Sequence, residues 1–217
     1  MENKSLITVL MSVYNTEFAW IKRAIDSVLN QEIQNFELII LDDGSDNDSS
    51  IQLLHYAQKN EDKITYLRHK NIGQANSINQ GVLISKGQFI AIIDADDEYK
   101  SNHLQACLEA MQENDLIAST TQTIVDKEEE YYVPDRIDHH KQIHVDDCVL
   151  FATLFGRKEV FEKVKFEDTY AADAHFYERV AVLYRVKKLD LKTYIYYRNN
   201  PDSACAVLKE KYAVVET

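Results

Sequence analysis

Four short aliphatic runs, separated by stretches with helical periodicity, constrain this chain more than any other feature. Residues 6–13, 36–41, 64–67 and 89–93 read as strands, each a brief apolar run bounded by turn residues. Between them, residues 18–29, 51–57 and 74–85 carry apolar side chains at helical spacing, as in Ile21, Ile25, Val28 and Leu29. Strand alternating with helix predicts βαβ crossovers and therefore a parallel sheet. The expected class is α/β, with a Rossmann-like, mostly parallel central sheet flanked by helices. With 217 residues and no visible linker, one domain is expected, its sheet-forming half at 1–100 and a less regular half at 101–217.

That second half predicts a helix at 103–111 capped by Ser101, a β-rich stretch at 116–125, and a polar excursion at 127–147. The excursion carries Tyr131, Tyr132, Pro134, His139, His140 and His144. Residues 149–155 are apolar and should return to the sheet. Residues 172–186 have helical spacing, and 189–197 alternate like a strand ending at Arg198.

The fourth strand runs directly into Asp94-Ala95-Asp96-Asp97. Strand side chains repeat every second residue, so Asp94 and Asp96 should share a side. Ligands of open α/β sheets gather outside the carboxyl ends of the strands. Acids in such a place need a cationic partner, and a divalent ion carrying a phosphorylated ligand fits. The plainer reading is a helix cap in a solvated loop. A second strand ends in Asp42-Asp43, which strengthens the first reading. Between the two acidic ends lies the segment from Arg68 through Asn71, Gly73 and Gln74 to Asn76. It offers a cation, helix-start amides and amide side chains, all suited to phosphate oxygens. No GxGxxG and no GxxxxGK[ST] occurs, so a dinucleotide fold and a P-loop fit poorly.

Composition excludes other classes. A formal net charge of −12 argues against nucleic acid or an anionic membrane as main partner. Cys107, Cys148 and Cys205 are scattered, and read as small buried groups in a reducing compartment. No apolar run reaches membrane-spanning length, and a cytoplasmic location is expected. The three histidines of the excursion lack the framework of a transition-metal site and are assigned instead to a mobile acceptor loop.

The order of these motifs resembles family 2 glycosyltransferases of the GT-A fold. The matching residues are Ser12-Val13-Tyr14-Asn15, Ser27 to Gln31, Phe36 to Ser45, Arg68, Asn71-Ile72-Gly73, Ala75, Asn79, Gly81 and Gly87 to Asp97. Downstream, Phe155-Gly156-Arg157, Asp173 to Arg179 and Tyr197-Arg198 match less continuously. The resemblance implies inverting transfer of a hexose from a UDP-sugar, with UDP-glucose or UDP-galactose first, to a hydroxyl of a glycan or lipid-linked acceptor. Under it, Ser12, Tyr14, Asn71, Gly73, Asn76 and Ala95 line the donor, and Asp42 or Asp43 accepts from the base NH. Arg68 and Arg198 hold base or phosphates. Asp94 reaches the ribose or sugar, and Asp96, helped by Asp94, holds Mn²⁺ or Mg²⁺. Asp173 is the implied catalytic base, with Arg179 trailing it. Ala172 stands where the family has a further acid. That departure leaves open an alternative: a sugar-nucleotide-binding pseudoenzyme or accessory subunit without transfer activity. A phosphoacceptor receiver domain also gathers Asp at strand ends, but the chain length and the Arg68–Gly81 segment count against it.

Overall fold

The structure, a computed structural model, describes residues 6–138, 141–169 and 171–199. Its elements are β1 (Ile7–Val13), α1 (Phe18–Leu29), β2 (Phe36–Asp42), α2 (Ser49–Lys59), β3 (Ile64–Arg68), α3 (Gln74–Ile84), β4 (Phe89–Asp94), β5 (Glu98–Tyr99), α4 (His103–Met111) and β6 (Leu116–Ile124). They continue with a hairpin, β7 (Tyr132–Pro134) and β8 (Gln142–His144), then β9 (Leu154–Arg157), α5 (Lys158–Val164), α6 (Ala172–Leu183) and β10 (Val186–Tyr197). Eight strands form one sheet in the order β3-β2-β1-β4-β9-β6-β10-β5, and β7 pairs only with β8.

The first four strands in that order are parallel, with β1 at their centre. Its register sets Ser12 beside both Leu41 of β2 and Asp94 of β4, so three strand ends reach one edge together. Further along, β9 is antiparallel to β4 and β6, β10 is parallel to β6, and β5 is antiparallel to β10.

Both faces of this sheet are covered, which is why its strands read as unbroken aliphatic runs. Val9, Met11, Leu38, Ile40 and Ile93 pack against Ile21 and Ile25 of α1, Leu53 of α2 and Leu104 of α4. The alternate positions Leu10, Ile39, Leu41, Ile90 and Ile92 pack against α3, α5 and α6 through Ile78, Phe161 and Phe176. Each such side chain, removed from water, contributes roughly 1.5–3 kcal/mol. Helix α3 lies so close to the sheet that a Cβ on Gly81 would come within 2.7 Å of the Leu41 side chain.

The differences from expectation are local. Helix α2 begins two residues before the first apolar position and ends two after the last, because propagation costs little once a helix is nucleated. Helix α5, with its charged KEVFEKV sequence, is too short for periodicity to show. The run 149–155 enters the sheet only at its end, after a 3₁₀ turn at Phe151–Thr153. Ser101 does not cap α4: Asn102 holds that position, and the Ser101 hydroxyl donates to Glu32 at 3.0 Å. Helix α6 stops at Leu183, and β10 begins at Val186 with a register shift between Leu189 and Tyr194. Cys107 is buried as expected, Cys148 only partly so, and Cys205 lies outside the described residues.

His103 is a core histidine, 2% exposed, with Nδ1 2.8 Å from the Thr193 hydroxyl and its ring stacked on Tyr99. Burial pushes its pKa down to about 3. The folded state therefore keeps it neutral, while the unfolded chain takes up a proton below the ordinary value near 6.5. Stability is present above that value and is lost as pH falls. Between pH 7.5 and 5.5 this group should cost about 1.4 kcal/mol of unfolding free energy. Urea denaturation at both pH values should show that loss in the parent and not in His103→Gln.

Candidate active site at the carboxyl edge of the sheet

The edge where β1, β2, β3 and β4 end carries most of the singled-out residues. At its outer end, Tyr14 follows β1 with its ring 54% exposed. The next residue, Asn15 (φ +52°), ties this loop to the β2 loop: its amide donates to the Ser45 hydroxyl at 3.0 Å, and its side-chain oxygen accepts from the Asp46 amide at 2.9 Å. Gly44 (φ +81°) lets the β2 loop turn within 2.8 Å of the Asn71 amide, measured from where a Cβ would stand.

Asp42 and Asp43 are both buried and hydrogen-bonded to neighbouring loops. Asp42 is 0% exposed, and its carboxylate accepts from the Ser45 amide (2.8 Å) and the Tyr66 hydroxyl (2.6 Å). Burial alone would raise its pKa; those hydrogen bonds outweigh it and hold the carboxyl below its ordinary range. Asp43 accepts from the amides of Ile72 (2.7 Å) and Gly73 (2.9 Å), with His69 Nδ1 at 3.4 Å. Both acids brace the loops at this edge. Asn76 braces the same loop by donating to Ile72 O at 2.8 Å, while Asn71 is exposed on it. Arg68 donates to Ser45 O at 2.5 Å, with Nε 3.5 Å from Asp42, and remains about half exposed.

At the inner end, β4 stops at Asp94 and residues 94–97 form a turn closed by Asp97 N to Asp94 O (3.3 Å). Asp96 therefore lies beyond the strand, and the two-residue strand period does not set its direction. Ser12 and the buried Ala95 flank the turn as small residues. Gln74, the first residue of α3, donates to Asp94 Oδ1 at 2.7 Å. Burial pushes Asp94 up to about 7, with Asp96 and then Asp173 adding repulsion against the pull of Gln74. Asp97 is buried and accepts from the Tyr194 hydroxyl (2.7 Å) and the Tyr197 amide (2.8 Å).

Asp173 arrives from the opposite side, on the first turn of α6 after the left-handed Ala171 (φ +55°). It accepts from the amides of Phe151 (3.1 Å) and Ala174 (2.7 Å), yet burial raises its carboxyl above the ordinary range. Asp173 lines a cleft of about 590 Å³, together with Gln74, Tyr177, Glu178, Tyr196, Arg198 and the β7–β8 hairpin. Arg136 of the hairpin region pairs with Glu178 across it. Arg198 is 8% exposed; Nη1 sits 3.3 Å from the Tyr196 hydroxyl, and its buried Nε has no partner among the described residues. A buried guanidinium with an unused donor, beside a cleft, is a place for an anion.

Gln74 went unassigned in the sequence, although its place just after Gly73 marks a helix start. Tyr194 carried no signal and Tyr197 only its place in the Tyr197-Arg198 match, because their work depends on the pairing of β10. His139 and His140 lie outside the described residues. His144 stacks on Tyr131, meets Tyr132 edge-on, and accepts from the Asp146 amide at 3.1 Å. No group of three or more His, Cys, Asp or Glu among the described residues forms a ready-made metal site. The crowded carboxylates Asp94 and Asp96 still suit a hard divalent cation, which needs only one or two protein oxygens when phosphate supplies the others.

Comparison with known proteins places this geometry. The model of the family described as glycosyl transferase family 2 matches residues 8–190. An uncharacterized glycosyltransferase of Haemophilus influenzae is 31% identical over 204 residues, covering 84% of this chain and 62% of that protein. Three Rickettsia relatives are matched over only about a fifth of their length. Among solved structures, S. aureus TarS in complex with UDP-GlcNAc superposes with a TM-score of 0.71 at 18% identity, over 93% of this chain and 60% of that one. The Pyrobaculum calidifontis mannosyltransferase PcManGT, in complex with GDP-Man and Mn²⁺, gives 0.71 at 17% over 95% and 60%. The curled, mostly parallel sheet is thus the GT-A fold, and the chain belongs to glycosyl transferase family 2.

Proposed function

We propose that this chain is a metal-dependent inverting glycosyltransferase, moving a hexose from a UDP-sugar to a hydroxyl of a glycan or glycolipid. UDP-glucose and UDP-galactose are the first donors to try. The observation that carries this reading is that two residues lining the cleft reach Asp94: Asp173, close enough to repel its charge, and Gln74, which bonds it. A donor anchored at the turn and an acceptor filling the cleft would meet there. The two structural neighbours hold different bases and sugars, UDP-GlcNAc and GDP-Man, but share the diphosphate that such a turn would receive.

In this reading the exposed ring of Tyr14 stacks on the base, and Arg68 borders it with its exposed face. Asp42 or Asp43 accepts from the base NH, at the loops the two acids hold. Asp94 accepts from a ribose or sugar hydroxyl, and Gln74 fixes its orientation. Asp96, with Asp94, would hold Mn²⁺ or Mg²⁺, which supplies Lewis-acid stabilisation of charge on the departing diphosphate. Arg198 offers its unused Nε to the same anion. Asp173 takes the proton of the acceptor hydroxyl as that oxygen attacks the anomeric carbon from the face opposite the leaving group. Its raised pKa makes it a stronger base than a solvated carboxylate, and its two amide partners keep it aimed.

Replacing Asp173 by Asn keeps shape and removes basicity. Transfer should fall roughly 10²–10⁴-fold, measured as UDP release in the presence of acceptor, while UDP affinity by calorimetry stays within about twofold of the parent. Unchanged UDP affinity with equal, near-zero transfer in parent and variant would favour the pseudoenzyme reading. The pH dependence has a defined sign. Asp94 holds a proton below about 7, so Mn²⁺-supported UDP binding should strengthen as pH rises from 6 to 8. In Asp94→Asn that slope should disappear.

A further inference from the structure

The Asp94–Asp97 turn is held from three directions, and one holder lies outside the cleft and the sheet edge. Tyr194 bonds Asp94 N (3.2 Å) and Asp97; Tyr197 N bonds Asp97; and Arg23, on α1, donates through Nη2 to the main-chain oxygen of Asp96. The Arg23 guanidinium lies between two rings, 4.4 Å from the Trp20 centroid and 3.7 Å from that of Tyr197. Its Nε is 3.7 Å from the Glu98 carboxylate, which also accepts from the Tyr197 hydroxyl. Trp20, Arg23, Tyr197 and Glu98 thus form a small assembly, none of them among the residues that line the cleft.

We infer that Arg23 is a positioning residue for the donor site: stacked between Trp20 and Tyr197, it fixes the Asp96 peptide and so aims the Asp96 carboxylate. This rests on the reading that Asp96 meets the metal and diphosphate. Asp96 is the turn residue whose direction strand geometry leaves undetermined, since β4 ends two residues earlier. Its neighbour Asp97 is locked by buried hydrogen bonds, and Asp94 by Gln74 and Tyr194. Arg23 holds the Asp96 carbonyl. A guanidinium suits this task because its planar fork can lie between two rings while one N–H points along its edge; an ammonium cannot. The arrangement also joins the turn to Arg198, since the ring covering Arg23 belongs to the residue just before it.

The test compares UDP affinity with and without Mn²⁺, by calorimetry on the full chain, in the parent, Asp96→Asn, Arg23→Met and Arg23→Lys. The ratio of the two affinities reads the aim of Asp96, while metal-free affinity reads general integrity. Asp96→Asn should abolish the ratio. Arg23→Met should lower it roughly tenfold or more, as loss of an outer-shell partner does, with metal-free UDP affinity within about twofold of the parent. Arg23→Lys should recover it only in part. If Arg23→Met does not fold, Trp20→Ala, which strips one face of the stack, should lower the ratio by less. A folded Arg23→Met with the parental ratio, or a parallel fall in both affinities, overturns the inference. A parent whose UDP affinity is indifferent to Mn²⁺, or an Asp96→Asn variant that keeps the parental ratio, removes the reading of Asp96, and the inference with it.

Discussion

The buried carboxylate of Asp97 is the interaction on which the site depends. It stands one residue past Asp96 and accepts from the Tyr194 hydroxyl and the Tyr197 amide, so it fastens the end of β4 to the end of β10. Such an acid cannot be left without donors in a dry interior. Burial, with repulsion from Asp94 and Asp96, pushes its carboxyl well above the ordinary range. Ordering the 94–97 turn and delivering Arg198 to the cleft are therefore one event. A chain that failed to dock β10 would lose both the order of the 94–97 turn and the buried Arg198.

The sheet supplies the frame in which this bond works. Central β1 aligns the ends of β2 and β4, and apolar side chains on both faces leave those strands no alternative register without exposing one set. Along the resulting edge, two neighbouring acidic pairs are put to opposite use. Asp42 and Asp43 accept hydrogen bonds that hold the loops at 44–46 and 69–73. Asp94 lies close enough to Asp96 for the two to repel, and burial raises its carboxyl further.

That contrast explains what could be read in advance. The parallel half was legible because each strand and helix announces itself through local periodicity, and the acidic strand ends followed from the order of elements. The division of labour between Asp42-Asp43 and Asp94-Asp96 was hidden, since it depends on which amides the 69–73 loop presents. Helix α5 and the 3₁₀ turn before β9 were missed for want of length. The insertion of antiparallel β9 between β4 and β6 comes from a pairing between residues more than sixty apart, which no local pattern carries. Gln74, Tyr194, Tyr197 and Arg23 matter through neighbours brought to them by the fold.

The central claim is that one nucleotide sugar spans this edge, its base against Tyr14 and its diphosphate at Asp96. The most direct measurement is a crystal structure of the chain with UDP and Mn²⁺, using anomalous scattering to locate the ion. The account predicts a manganese peak bound by the Asp96 carboxylate and diphosphate oxygens, with uracil on the Tyr14 ring. A manganese peak remote from Asp96, or UDP seated away from the carboxyl ends of β1 and β4, would contradict it.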